Sequence, residues 1–170
     1  MYIKLIGAAL VIIGSGSIGF TMVANHKTEE KMLLNLVSVL DYMECELKYR
    51  LTPLPLLCKQ AAGETTGILR KIFYELSNEL ESQVSPNVAN CMYAAMARCT
   101  KIPPMTAKCL KVLGGSLGRF DLQGQLKGLE SVRSMSRNLL KNLDLDKEVR
   151  RRSYQTLSLC AGAALAILLL

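Results

Sequence analysis

Residues 27–51 read KTEEKMLLNLVSVLDYMECELKYRL. The apolar residues Met32, Leu33, Leu36, Val37, Leu40, Met43 and Leu47 recur every three or four positions, the spacing that lines one face of an α-helix. Working outward, Thr52-Pro53 reads as a helix restart, with Thr52 as N-cap and Pro53 in the first turn. A short helix over 53–62 then ends at Gly63. The next begins near Thr66 and carries Ile68, Leu69, Ile72, Phe73, Leu76 and Leu80 at helical spacing. Ser85-Pro86 repeats the cap-plus-proline signal before Val88, Cys91, Met92, Ala95, Met96 and Cys99. Ile102-Pro103-Pro104 opens a fifth helix with Met105, Cys109, Leu110, Val112 and Leu113. That helix runs into Gly114-Gly115-Ser116-Leu117-Gly118, read as a tight helix–helix turn. Asp121 is then the expected N-cap of a last helix with Leu122, Leu126, Leu129, Val132, Ser136, Leu139 and Leu143 on one face. The rhythm from Leu129 to Leu143 suits packing against the 27–51 helix. No stretch alternates with period two, so the expected fold is all-α: a compact bundle of about six helices over residues 26–152.

The two ends differ from this middle. The chain has 170 residues, 50% hydrophobic and only 5% aromatic, with a mean hydropathy of +0.23. Every Asp, Glu, Lys and Arg except Lys4 lies within 25–152. Leu5–Ala24 is long enough as a helix to cross a hydrocarbon core of roughly 30 Å. A signal peptide is the alternative, but Met22 occupies a place where cleavage wants a small residue. Ser153–Leu170 is a second uncharged run, short for a span yet workable with slight thinning of the bilayer. A buried C-terminal helix is its alternative. The expected organisation is therefore an N-terminal transmembrane helix over 1–25, a bundle over 26–152 and a C-terminal transmembrane helix over 153–170. The helix starting at Asp121 meets no proline before Arg152, so it is free to run on into the second span. Basic residues flank the middle region, with Lys27 and Lys31 at one border and Arg150, Arg151 and Arg152 at the other. By the positive-inside rule this region faces the cytoplasm. The arginine triplet suits anionic lipid headgroups.

Little chemistry is available. The chain has 21 Lys+Arg and 14 Asp+Glu, a formal net charge of +7, and one histidine, His26. Residues 1–85 carry a net −1 and residues 86–170 a net +8. A serine or cysteine nucleophile would have only His26 as base. No P-loop is present, and Gly114–Gly118 lacks the lysine and the preceding strand that a phosphate loop requires. The six cysteines form no C-x-x-C pair, which suits buried thiols in a reducing compartment and argues against zinc. Glu29-Glu30 and the Asp144/Asp146 pair read as solvated. No catalytic, cofactor or metal residues are expected, so the chain does not read as an enzyme. Lys127, Arg133, Arg137 and Lys141 space positive charge along the last helix, but sparse aromatics and the lack of a reader motif argue against nucleic acid.

Two stretches carry a resemblance. Glu46-x-x-Tyr49-x-x-Thr52-Pro53-Leu54 matches one family motif, and Leu117-Gly118-x-x-Asp121-x-x-x-Gln125 matches another. In this order, with two apolar ends, the chain resembles the stage III sporulation protein AB family of endospore-forming Firmicutes. The resemblance implies a sporulation role in a multiprotein complex linking mother cell and forespore. It also implies likeness to the F-type platform proteins of type II secretion. The implied location is the outer forespore membrane, with the bundle in the mother-cell cytoplasm. The implied partners are a secretion-type ATPase (stage III sporulation protein AA) and other membrane proteins of the complex; a homo-oligomer is compatible with the sequence. The motif residues read first as structural: a helix start at Thr52-Pro53, strain relief at Gly118 and a cap at Asp121. Tyr49 and Gln125 are alternatives for partner contact. The leading expectation is a non-catalytic membrane platform that docks the ATPase. Its rivals are a structural adaptor that never touches an ATPase and, further off, a membrane-tethered nucleic-acid binder.

Overall fold

The computed structural model describes residues 27–83, 85–118 and 121–169, the last of these as backbone alone from residue 146. The described residues form six helices and no strand. These are α1 (residues 27–50), α2 (Leu54–Glu64), α3 (Gly67–Glu81), α4 (Val88–Ala97), α5 (Pro104–Ser116) and α6 (Leu122–Leu169). The all-α expectation holds. The stretch 1–25 lies outside the described residues, as do the side chains of 153–170. Among the described residues no helix is long and apolar enough to cross a membrane.

The apolar face of α1 is buried as its spacing requires: Leu33, Leu36, Leu40 and Met43 are sealed from solvent, while Val37 is only half-buried and Val39 takes its place. They pack with Leu57 of α2, Leu69, Ile72, Phe73 and Leu76 of α3, Met92 of α4, Leu110 and Leu113 of α5, and Leu129 and Val132 of α6. The core is aliphatic and sulfur-rich, with Phe73 as its one fully buried aromatic ring among the described residues. Val112, expected on the core face of α5, is exposed, and Thr106 is buried instead.

Two helix starts, those of α2 and α4, depart from the expected caps. Pro53 and Pro103 themselves occupy the cap positions of α2 and α5, and their carbonyls accept from Leu57 N and Ala107 N, both at 2.9 Å. Ser85 does not cap α4. That role falls to Asn87, whose Oδ1 accepts from Ala89 N at 2.9 Å. Gly63 does not end α2, which continues through Glu64. Where a proline caps, the orphan N–H groups of the first turn need another acceptor. For α5 it comes from far away in sequence. Glu29 of α1 is buried, and its Oε1 accepts from Thr106 N at 2.8 Å and from Thr106 Oγ1 at 3.3 Å. Glu29 is therefore not a solvated surface carboxylate: it sits at the positive end of the α5 dipole, where a negative charge is favoured.

Helix directions follow from such contacts. Ser136 of α6 donates to Cys109 Sγ of α5 at 3.5 Å, and Ser116 of α5 lies against Gly128 of α6, so the two helices run antiparallel. Glu29 reaches the start of α5, and Leu54, just past the end of α1, reaches Gly118, just past the end of α5, so α1 runs parallel to α5 and antiparallel to α6. A charged cluster locks the second pair. Arg133 Nη1 lies 2.6 Å from Asp41 Oδ1 and 2.7 Å from Glu44 Oε2 of α1, and its other arm meets Glu130. Arg133 is thus not part of a free basic stripe. The bundle is polar in consequence. Residue 27 and the 143 region of α6 lie at one end, here the chain-end face, while residue 50 and the start of α6 lie at the other.

Two outcomes are expected. Arg133→Met should destabilise the bundle by about 1 kcal/mol in chemical denaturation, and a double-mutant cycle with Asp41→Asn should recover a coupling of at least about 0.5 kcal/mol. Burial pushes the Cys58 thiol from 9.0 up to about 12. Native protein should therefore alkylate at exposed Cys45 first, with Cys58 reacting only on unfolding, as peptide mapping would record. Because the folded state holds the Cys58 proton more tightly, stability should fall as pH rises from 9 towards 12.

Candidate functional site: the corner where two motifs meet

The two motifs lie more than sixty residues apart in sequence, and the fold brings them to the end of the bundle opposite the chain-end face. The first closes α1. Glu46 is buried, its Oε2 accepting from Thr52 Oγ1 at 2.9 Å and its Oε1 lying 3.3 Å from Arg50 Nη1. Between them Leu51 takes a left-handed conformation, φ 51°, so the chain reverses within a few residues. Thr52 is not the N-cap of α2. Its hydroxyl instead donates to the buried Glu46 carboxylate, and a hydrogen bond to a charged group is the stronger of the two options. Pro53 follows as the cap, and Leu54 turns its side chain inward.

The second motif closes α5 and starts α6. Leu117 is buried and ends α5. Gly118 follows with φ +68°, the left-handed conformation that favours glycine after a helix. It is also crowded. A Cβ there would stand 2.5 Å from Val88 Cγ2 and 3.2 Å from Leu54 Cδ2. Leu54 of the first motif and Gly118 of the second are therefore in contact, and Val88 of α4 packs on the same glycine. Asp121 caps α6 as expected: its Oδ1 accepts from Gly124 N and its carbonyl from Gln125 N, each at 2.9 Å. Glu46, Thr52, Pro53, Leu54, Leu117, Gly118 and Asp121 thus hold the corner together. Gln125 is half-buried beside it.

Tyr49 is different. It is 75% exposed, with the Lys48 ammonium 5.5 Å from its ring centroid. Leu51 and Leu56, which flank the same reversal, are exposed as well. Sequence reasoning passed over both leucines: Leu51 continues the Met43–Leu47 spacing but lies just past the end of α1, and Leu56 precedes the buried pair Leu57 and Cys58 of α2. A cleft of about 330 Å³ opens nearby, lined by Pro86, Asn87, Val88, Leu117 and Gly118. The start of α4 was absent from the expected site because nothing local ties residues 86–88 to either motif. Arg150, Arg151 and Arg152 are not part of this corner. Position 150 lies roughly 38 Å beyond position 125 along the continuous α6.

These features define a class: an all-α bundle whose marked residues build one corner, with an exposed aromatic and two leucines over it. The comparisons place it more closely. The sequence model of the family described as stage III sporulation protein AB matches residues 4–170, and the chain belongs to that family. A solved structure titled stage III sporulation protein AB is similar in fold. It shares 18% identity, has a TM-score of 0.60, and the match covers 72% of this chain and 98% of that one. Comparison with curated proteins finds no match. The chain is thus a component of the sporulation machinery acting at stage III.

Gly118→Ala should cost about 2 kcal/mol, since it combines left-handed strain with overlap on a stiff valine. Gly63→Ala, in open helical space, should instead stabilise by about 0.5–1 kcal/mol. Thermal unfolding of the two variants side by side checks both.

Proposed function

We propose that this protein is a non-catalytic platform of the stage III sporulation complex. Residues 1–25 and 153–170 anchor it in the outer forespore membrane, and the bundle projects into the mother-cell cytoplasm. The motif corner docks the secretion-type ATPase of the complex. The observation that carries this reading is the polarity of the bundle. Residue 27 and the 143 region of α6 both lie at the chain-end face, so apolar stretches that connect there would enter one membrane as two antiparallel spans. The motif corner then points away from that membrane, into the space a cytoplasmic ATPase occupies. Exposed tyrosine and leucine suit the centre of a protein interface, where aromatic anchors contribute most of the binding energy. The unbroken helix from the Asp121 cap through Leu169 joins the corner to the anchor, so movement imposed at one end reaches the other without a flexible joint. Other membrane proteins of the complex, or further copies of this chain, would contact the spans.

Capture of the ATPase by the full chain, solubilised from membranes of sporulating cells, tests the docking. Tyr49→Ala combined with Leu56→Ser should reduce capture by at least about ten-fold, while Tyr74→Ala and Tyr93→Ala, exposed on other helices, should leave it intact. Undiminished capture would remove the corner from the interface. No capture by the unaltered chain would favour the adaptor reading.

A further inference from the structure

The charge distribution changes meaning once the helices are placed. Between Glu81 and Asp121 the chain has no acidic residue, yet it carries Arg98, Lys101, Lys108, Lys111 and Arg119. Two of these are already engaged. Arg98 is bound to Glu75 and Glu79 of α3, and Lys111 lies 5.8 Å over the Tyr93 ring. Lys101 and Lys108 are different. Lys101 tops the α4–α5 loop, exposed and at φ 65°, and Lys108 is exposed on the second turn of α5.

That loop lies at the chain-end face. It leads directly into the α5 start, and Thr106 there is held by Glu29, two residues from Lys27 and Lys31 of α1. Lys141 of α6 reaches the same end, two residues before buried Leu143. Three elements separated in sequence thus bring exposed lysines to one end of the bundle, Lys27 and Lys31, Lys101 and Lys108, and Lys141. Of the carboxylates nearby, Glu29 is buried under Thr106 and accepts from it.

We infer that the α4–α5 loop and the start of α5, through Lys101 and Lys108, rest on anionic lipid headgroups and fix the tilt of the bundle against the membrane. This rests on the membrane-anchored reading above. It adds a third support away from the two points where the chain would enter the bilayer. A two-helix stem leaves a bundle free to rock, and a charged contact from a separate loop opposes that rocking. Each lysine near an anionic surface favours contact about five-fold, and the effect is confined to about a Debye length, so the loop must lie against the headgroups to feel it.

The full chain is reconstituted into vesicles of phosphatidylcholine, with or without phosphatidylglycerol, and recovered by flotation. Cys45, Cys99 and Cys160 are replaced by serine, and a nitroxide is attached at Thr100→Cys or at Tyr49→Cys. Headgroup-bound nickel chelate then reports proximity by relaxation enhancement. The expected result is strong enhancement at 100 with phosphatidylglycerol and none at 49. The signal at 100 should fall several-fold in Lys101→Glu/Lys108→Glu and at high salt. The salt arm reads the contact even if that double variant were to fold poorly. A chain that floats but shows no enhancement at 100, or enhancement indifferent to both charge reversal and salt, overturns the loop contact and leaves the anchoring intact. A chain that does not float overturns the anchoring and this inference with it.

Discussion

Gly118 has no room for a side chain. It stands where α5 must stop and α6 must turn back, in a left-handed conformation and pressed on Val88 and Leu54. Glycine alone meets both demands, because any Cβ would be strained by the backbone and would collide with neighbours. The rest of the architecture depends on that reversal. It sets α6 antiparallel to α5 and α1, lets Ser136 meet Cys109 and Arg133 meet Asp41 and Glu44, and returns the chain to the end where residue 27 begins.

The polar residues inside the bundle work in the same sense. Glu29, Glu46, Thr52, Thr106 and Ser136 are buried, and each has a hydrogen-bond partner. A buried carboxylate without such partners would cost several kcal/mol, of order 3–5. Glu29 and Glu46 therefore specify where α1 lies at its two ends: one against the start of α5, the other at the turn into α2. An aliphatic core tolerates sliding better than a paired carboxylate does, so these groups supply the register that leucine and methionine cannot.

The proposed function rests on an end-to-end asymmetry. One end gathers exposed lysines near the places where the apolar stretches join. The other gathers Tyr49, Leu51 and Leu56 above a rigid corner. The platform proposed above, with a membrane on one side and a cytoplasmic partner on the other, would use this arrangement; the family, stage III sporulation protein AB, places the chain in sporulation.

Helix identity was legible because it is local. The three-four spacing of α1, α3 and α6 and the Asp121 cap depend on neighbours within a turn, and the burial of Leu33, Leu40, Leu69, Phe73 and Leu129 follows from them. The proline caps were legible only in part: the sequence showed where helices begin, but not that Thr52 bonds Glu46 or that Asn87 rather than Ser85 caps α4. Glu29 and Arg133 were read as surface charges because their partners lie 77 and 92 positions away, beyond any periodic signal. The sequence by itself determined an all-α chain with two uncharged ends and two marked motifs. Only the tertiary structure decided that the motifs form one corner, that Tyr49 is left over it, and that Lys101 shares an end with Lys27. Periodicity reports which face of a helix is apolar, whereas helix direction and register are settled by contacts between residues far apart in the chain.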